Sequence, residues 1–350
     1  MLALGSTVIS QNQHRRMAIP ALFVACVIVF FIALSKGGVV ISISEIISII
    51  NQTADDELKH AIIWQIRLPR LILAMIVGAG LAACGAAMQA IFRNPLADPG
   101  LIGVSSGAAL GAVATIVLGT SLFANFSDSL GIYAVPIGAF LGCIGVCVFI
   151  YRLSAHSGQF TIISLLLAGI AVNAIVGSLI GVLTLISNDQ QLRDLTFWSM
   201  GSLAGNHFAM MLPTIALIIF SCMALLRLGK PLNLYLLGEA QAKHLGINVT
   251  KLKKQVFIYT ALCTGAAVAI TGIIGFVGFI VPHIVRLVLG PDHRYLMPTS
   301  MLGGALLLSL ADLFARTVML PAELPIGLIT SAIGGPFFLI MLLKTYQRRG

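Results

Sequence analysis

The chain has 350 residues, 58% of them hydrophobic and only 9% charged; a soluble globular domain carries about 25% charged residues. Water cannot solvate such a surface, so lipid is the solvent for most of it. The formal charge of +9 is spread through short loops with no basic tract or aromatic–basic module, which reads as Lys and Arg holding loops in the cytoplasm and not as a nucleic-acid surface.

Apolar runs of about 20 residues recur between short polar breaks and predict an all-α membrane protein with about ten spans. The spans fall near 17–36, 70–92, 99–119, 131–151, 162–186, 207–227, 256–272, 275–289, 296–317 and 325–345. His14, Arg15 and Arg16 precede the first of them. Its run from Met17 to Leu34 exceeds the roughly 7–15 residues of a signal-peptide core and reads as a retained span. Segment 37–66 places Ile43, Ile46, Ile47 and Ile50 opposite Ser44, Glu45 and Ser48, which predicts a short amphipathic stretch on the outer interface. Asp55, Asp56 and Glu57 read as a solvated loop and not a metal site.

The apolar stretch Val256–Leu289 is too long for one untilted helix and is interrupted by Gly272, Gly275 and Gly278. A tight hairpin there brings both termini to the cytoplasm and keeps Lys344, Arg348 and Arg349 inside, as the positive-inside bias requires. Gly78–Gly85 is echoed by Gly265–Gly272, running the opposite way. Either inverted repeats or ordinary small-residue packing accounts for the echo. No low-complexity linker divides residues 1–350, which read as one transmembrane domain. The six cysteines, Cys26, Cys84, Cys143, Cys147, Cys222 and Cys263, all lie in apolar segments without metal-ligand spacing and read as packing residues.

There is no G-x-x-x-x-G-K-[ST] phosphate loop, no nucleophile elbow and no H-E-x-x-H pair. The spans are also nearly free of carboxylates. Asp312 is the main candidate for an intramembrane acid, and it can instead pair with Arg316 at i+4. Ion-coupled carriers need such acids as relays, so their scarcity argues for energy from a partner protein and against a secondary carrier. An intramembrane enzyme lacks its catalytic constellation. The inside segment Leu236–Ile247 offers Leu237, Ala240, His244 and Ile247 at helical spacing, for a partner or for lipid headgroups.

Several motifs occur in order: Arg67-Leu-Pro-Arg70, Gly85-Ala-Ala-Met-Gln-Ala, Asn94-Pro-Leu-Ala-Asp-Pro-Gly100, Leu237-Gly-Glu-Ala, Gly275-Phe-Val-Gly-Phe-Ile-Val-Pro-His283, Ala311-Asp-Leu-Phe-Ala-Arg316 and Glu323-Leu-Pro-Ile-Gly327. Together they resemble the permease family of type II ABC importers for iron–siderophores, haem and cobalamin, over almost the whole chain. Leu195-Thr-Phe-Trp-Ser-Met-Gly-Ser-Leu203 looks most like the haem members. The resemblance implies an inner-membrane homodimer that binds no cofactor itself. Two cytoplasmic ATPases supply ATP and Mg chemistry, and a periplasmic binding protein delivers the ligand. It assigns Arg67, Arg70 and Arg316 to docking of that protein. Leu237, Gly238, Glu239, Ala242, His244, Leu245 and Gly246 match the ATPase-coupling segment. Asn94, Pro95 and Leu96, with Thr161, Ile162 and Ile163, match the inner pathway and gate, which the two isoleucines make more apolar than in the cobalamin member. Haem is the expected cargo, with cobalamin or a ferric siderophore as alternatives. His207 and His283 are the possible haem contacts, since imidazole suits iron; a structural hydrogen bond is the competing role for His283.

Overall fold

The computed structural model describes residues 2–51, 56–119, 121–155, 161–205 and 207–347, with backbone only for 2–16 and 344–347. The side chains of His14, Arg15, Arg16 and Lys344, and all of Asp55, Arg348 and Arg349, lie outside the described residues.

The described residues are helical, with no strand. In chain order the helices are α1 (Leu2–Ser35), α2 (Ile43–Ile50), α3 (Glu57–Ala61), α4 (Leu68–Ile91), α5 (Val104–Leu118), α6 (Ala124–Leu130), α7 (Ala134–Ala155), α8 (Ile162–Leu185), α9 (Asp189–Met200) and α10 (Phe208–Arg227). They continue as α11 (Gly229–Leu236), α12 (Glu239–His244), α13 (Val249–Thr271), α14 (Val277–Leu289), α15 (His293–Ala315) and α16 (Ile326–Gln347). Each of the ten sequence-predicted spans has a helix at its centre. Eight helices among the described residues are long and apolar enough to cross a bilayer. The other two are shorter, α5 with 15 residues and α14 with 13. The chain enters α5 through a 3-10 turn, Pro99–Ile102, whose first amides are met by Asp98. It enters α14 through the break at 272–276. There Gly272 (φ +68) ends α13 and Phe276 (φ +66) precedes Val277. The split of the long apolar stretch is therefore present, made by left-handed residues that a helix cannot contain.

The amphipathic stretch is α2, opened by a capping box between Ser42 and Glu45. A bond from Lys59, then bonds from Ser42, hold the Glu45 carboxyl down at about 2, so the box stays intact at neutral pH. Its buried face is Ile46 and Ile49, packed on Ala33, Leu34, Ile63 and Leu71. Ile43, Ile47 and Ile50 face outward, so the apolar stripe is divided between core and surface. Asp56 caps α3 and pairs with Lys59 at 3.2 Å.

Helix continues without a gap from Glu57 to Ile91, much further back than the predicted span, because a π-helical turn over Ile62–Arg67 joins α3 to α4. Pro69, in the first turn of α4 directly after the π turn, cannot donate to the preceding turn. α4 is the buried centre, enclosed by α10, α13, α14 and α15. A Cβ on Gly85 would lie 1.6 Å from the Gly278 carbonyl oxygen, and one on Gly78 would lie 2.2 Å from that of Gly304. Backbone therefore meets backbone where α4 crosses α14 and α15, as membrane helices lacking a hydrophobic drive require. The second copy of the echoed motif does different work. Gly265 faces the Cys143 thiol of α7, and Gly272 terminates its helix.

Gly85→Ala is expected to force α4 and α14 apart and cost about 1–3 kcal/mol, the range for overpacking. Thermal unfolding in detergent should show a lower midpoint; an unchanged midpoint would mean the crossing is loose.

Candidate functional site

At one end of the bundle the three sequence-predicted arginines come together. Arg67, in the π turn, donates to the carbonyls of Leu34 at 2.5 Å, Ser35 at 3.2 Å and Val39. Arg316, which caps α15, donates to the carbonyl of Ala33. The carbonyls of Ala33, Leu34 and Ser35 are the last of α1, where the helix dipole favours cations. Gly37 lies beside them, and a Cβ there would lie 2.8 Å from the Arg67 guanidinium and push it off its carbonyls. Arg70, in the first turn of α4, bonds Asp312 of α15 at 2.6 Å and Glu323 at 2.7 Å. The i,i+4 pair of Asp312 with Arg316 is present at 3.5 Å.

Arg67, Arg70 and Arg316 are 5–7% exposed. They point into the protein and are committed to internal acceptors, whereas a free docking face would present them to solvent. Desolvation explains this: a guanidinium at the edge of lipid keeps its charge and takes whatever oxygens the chain supplies. The exposed member of the cluster is the Glu323 side chain, at 46%. Its motif was visible in the sequence, but no role attached to it until the fold brought it to Arg70.

At the other end lies Leu236–Ile247. It is broken: Gly238 has φ +133, α11 stops before it and α12 starts after it. Leu237 therefore lies outside the helix, and the expected ridge of Leu237, Ala240, His244 and Ile247 does not form on one face. Ala242 is buried, and Ile247 packs on the core. Leu237, Ala240, Lys243, His244, Leu245 and Gly246 are exposed, with Leu237 at 63% and Leu245 at 56%. Glu239 bonds the buried Lys253 of α13 at 2.6 Å. Partial burial works against its ionisation, but Lys253 outweighs it and holds the carboxyl below the ordinary range.

Asn94 and Pro95 are exposed in the turn after α4, where the Asn94 side chain accepts from the Leu96 amide at 2.9 Å. The 3-10 turn that follows reaches α8, since a Cβ on Gly169 would lie 2.5 Å from the Leu101 carbonyl oxygen. Thr161 caps α8 by accepting from the Ser164 amide at 3.1 Å. Ile162 is half-buried and Ile163 is 71% exposed. His207 is exposed at the start of α10. His283 stacks on Phe279, with ring centres 6.4 Å apart, and meets Phe337 edge-on. Its Nδ1 is buried without a hydrogen-bond partner among the described residues. No group of three or more His, Cys, Asp and Glu side chains suited to a metal occurs among the described residues.

The geometry fits a multi-pass membrane protein whose buried ion pairs lie toward the two ends of one central helix, with no catalytic constellation among the described residues. The chain belongs to the FecCD transport family, whose model matches residues 25–344, and is thus an inner-membrane permease of the ABC-importer class. It is similar to the hemin transport system permease protein HmuU of Yersinia pestis, with 47% identity over 300 residues, covering 85% of this chain and 88% of that protein. It is also similar to the cobalamin import system permease protein BtuC of Halobacterium salinarum, with 40% identity over 286 residues, covering 82% and 74%. A solved inward-facing metal-chelate type ABC transporter superposes with a TM-score of 0.78 at 33% identity, covering 93% of this chain and 98% of that one.

Replacing Arg70 with Met should leave Asp312 buried with only the longer Arg316 contact, at a cost of about 3–5 kcal/mol. Adding Asp312→Asn should recover part of it, because the neutral amide removes the poorly paired buried carboxylate while still offering an oxygen to Arg316. Thermal unfolding of both variants in detergent checks this, and a double variant as weak as the single one would contradict it.

Proposed function

We propose that this chain is the membrane subunit of an ATP-driven importer that carries haem from a periplasmic binding protein to the cytoplasm. The observation that carries the reading is the 47% identity to a hemin permease, above the 40% to a cobalamin permease over a similar share of the chain. In this reading ten membrane passes leave both termini in the cytoplasm, and two copies form the pathway between them. Two separate ATPase subunits bind ATP and Mg, and the chain itself holds no cofactor. The exposed Leu237, Ala240, His244, Leu245 and Gly246 supply the ATPase contact.

Docking of the binding protein falls to the Arg67, Arg70 and Arg316 cluster, with one change from the simple picture. Because Arg70 is already paired, acidic groups of the binding protein act there by competing with the exposed Glu323. Asn94, Pro95, Leu96, Thr161, Ile162 and Ile163 form the inner end of the pathway, and the bare side chain of Ile163 suits an apolar cargo. His207, exposed and without a capping bond, is the better-placed imidazole for transient contact with a haem iron. His283 is held between aromatic rings.

Asp312, the main candidate for an ion relay, bonds two arginines and is 1% exposed. A carboxylate so engaged is poorly placed to load and release a proton or sodium ion, which weighs against a secondary carrier.

In proteoliposomes holding the chain with its ATPase and binding protein, haem is expected to accumulate and cobalamin is not. Accumulation of cobalamin alone would reassign the cargo within the same family.

A further inference from the structure

α11 carries two contacts that the importer reading does not use. Tyr235 is fully buried, and its hydroxyl lies 3.2 Å from the Ile91 carbonyl oxygen at the end of α4 and 3.1 Å from Glu239 of α12. The guanidinium of Arg93, just past α4, covers the Tyr235 ring at 4.5 Å and donates to the Tyr235 carbonyl at 2.7 Å. Arg93 adopts φ +48 to do so, a conformation a non-glycine residue keeps only when its surroundings impose it. Two residues earlier, Asn233 donates to Asp292 at 2.6 Å and accepts from the His293 amide at 2.8 Å, where α15 begins. A single eight-residue helix thus grips the inner ends of α4 and α15, and through Glu239 it holds the start of α12.

The far ends of the same two helices are joined by Arg70 and Asp312. Between these ties the helices touch backbone to backbone at Gly78 and Gly304. Only Leu237 and Gly238 separate α11 from α12, and the Tyr235 hydroxyl bridges that break to Glu239, which gives a displacement of α12 a direct route to α11 and α4.

We propose that α11 is the crossbar of this permease. Tyr235 and Asn233 convey movement of the Leu237–Gly246 segment to the inner ends of α4 and α15, and Arg93 locks Tyr235 to α4. Tyr235, Asn233 and Arg93 are positioning residues that touch neither cargo nor nucleotide. The inference rests on the assignment of that segment to ATPase contact.

The test uses the complex of the chain with its ATPase and binding protein in proteoliposomes. The readouts are ATPase turnover, complex assembly and cargo accumulated per ATP hydrolysed. Wild-type complex that accumulates cargo only with ATP secures the underlying importer reading separately. Tyr235→Phe keeps the ring under Arg93 and removes the hydroxyl; Arg93→Gln removes the guanidinium. Both variants are expected to assemble and hydrolyse ATP, with cargo moved per ATP falling about tenfold, the scale of a coupling energy between two sites. The double variant should be no worse than the poorer single one, because both break one connection. A wild-type ratio of cargo to ATP in both variants would overturn the proposal. So would failure of both to assemble, which would make the cluster a folding element and not a transmitter.

Discussion

A guanidinium drawn out of water stays charged, so a buried arginine must be handed oxygen acceptors by its own chain. That constraint organises one end of this permease. Arg67 and Arg316 take the last carbonyls of α1, and Arg70 and Arg316 share Asp312. α1, α4 and α15 are joined as a result, and Glu323 adds the segment after α15. The cluster anchors the first turn of α4. Its glycines then fix how closely α14 and α15 lie against it, and Arg93 fixes where it ends.

Much of this architecture was legible in the sequence, because lipid imposes a length on every apolar run. Hydropathy found the centres of α1, α4, α5, α7, α8, α10, α13, α14, α15 and α16, and glycine spacing with loop charge found the break before α14. What escaped was governed by tertiary contact. α9 is too polar to register as a span, yet Gln191 anchors it to the carbonyls of Ile116 and Val117. The π turn that extends α4 backwards has no periodicity signal of its own. The stripe on α2 was legible, but which of its isoleucines face the core depends on where Ala33 and Leu34 stand.

The candidate site was legible as residue identities more than as geometry. Motif resemblance picked out Arg67, Arg70 and Arg316 and expected them to face a partner; burial turned them inward, Arg70 onto Asp312 and Glu323 from more than two hundred residues along the chain, and Arg67 and Arg316 onto the end of α1. Helical spacing grouped Leu237 with Ala240, but the left-handed Gly238 separates them. Tyr235, Asn233 and Arg93 lie beside the recognised motifs and carry no signal in isolation. Only the fold shows that they meet.

Among the described residues the carboxylates of both polar clusters, Asp312, Glu323 and Glu239, are held in ion pairs with Arg or Lys. That fits the proposed reading, in which the energy for transport comes from a partner ATPase. The most direct measurement is ATPase activity and cargo uptake in proteoliposomes, with this chain reconstituted alone and with its ATPase and binding protein. The account predicts no uptake by the chain alone under any ion gradient, and ATP hydrolysis in the full complex that rises when the loaded binding protein is added. Gradient-driven uptake by the chain alone would contradict it.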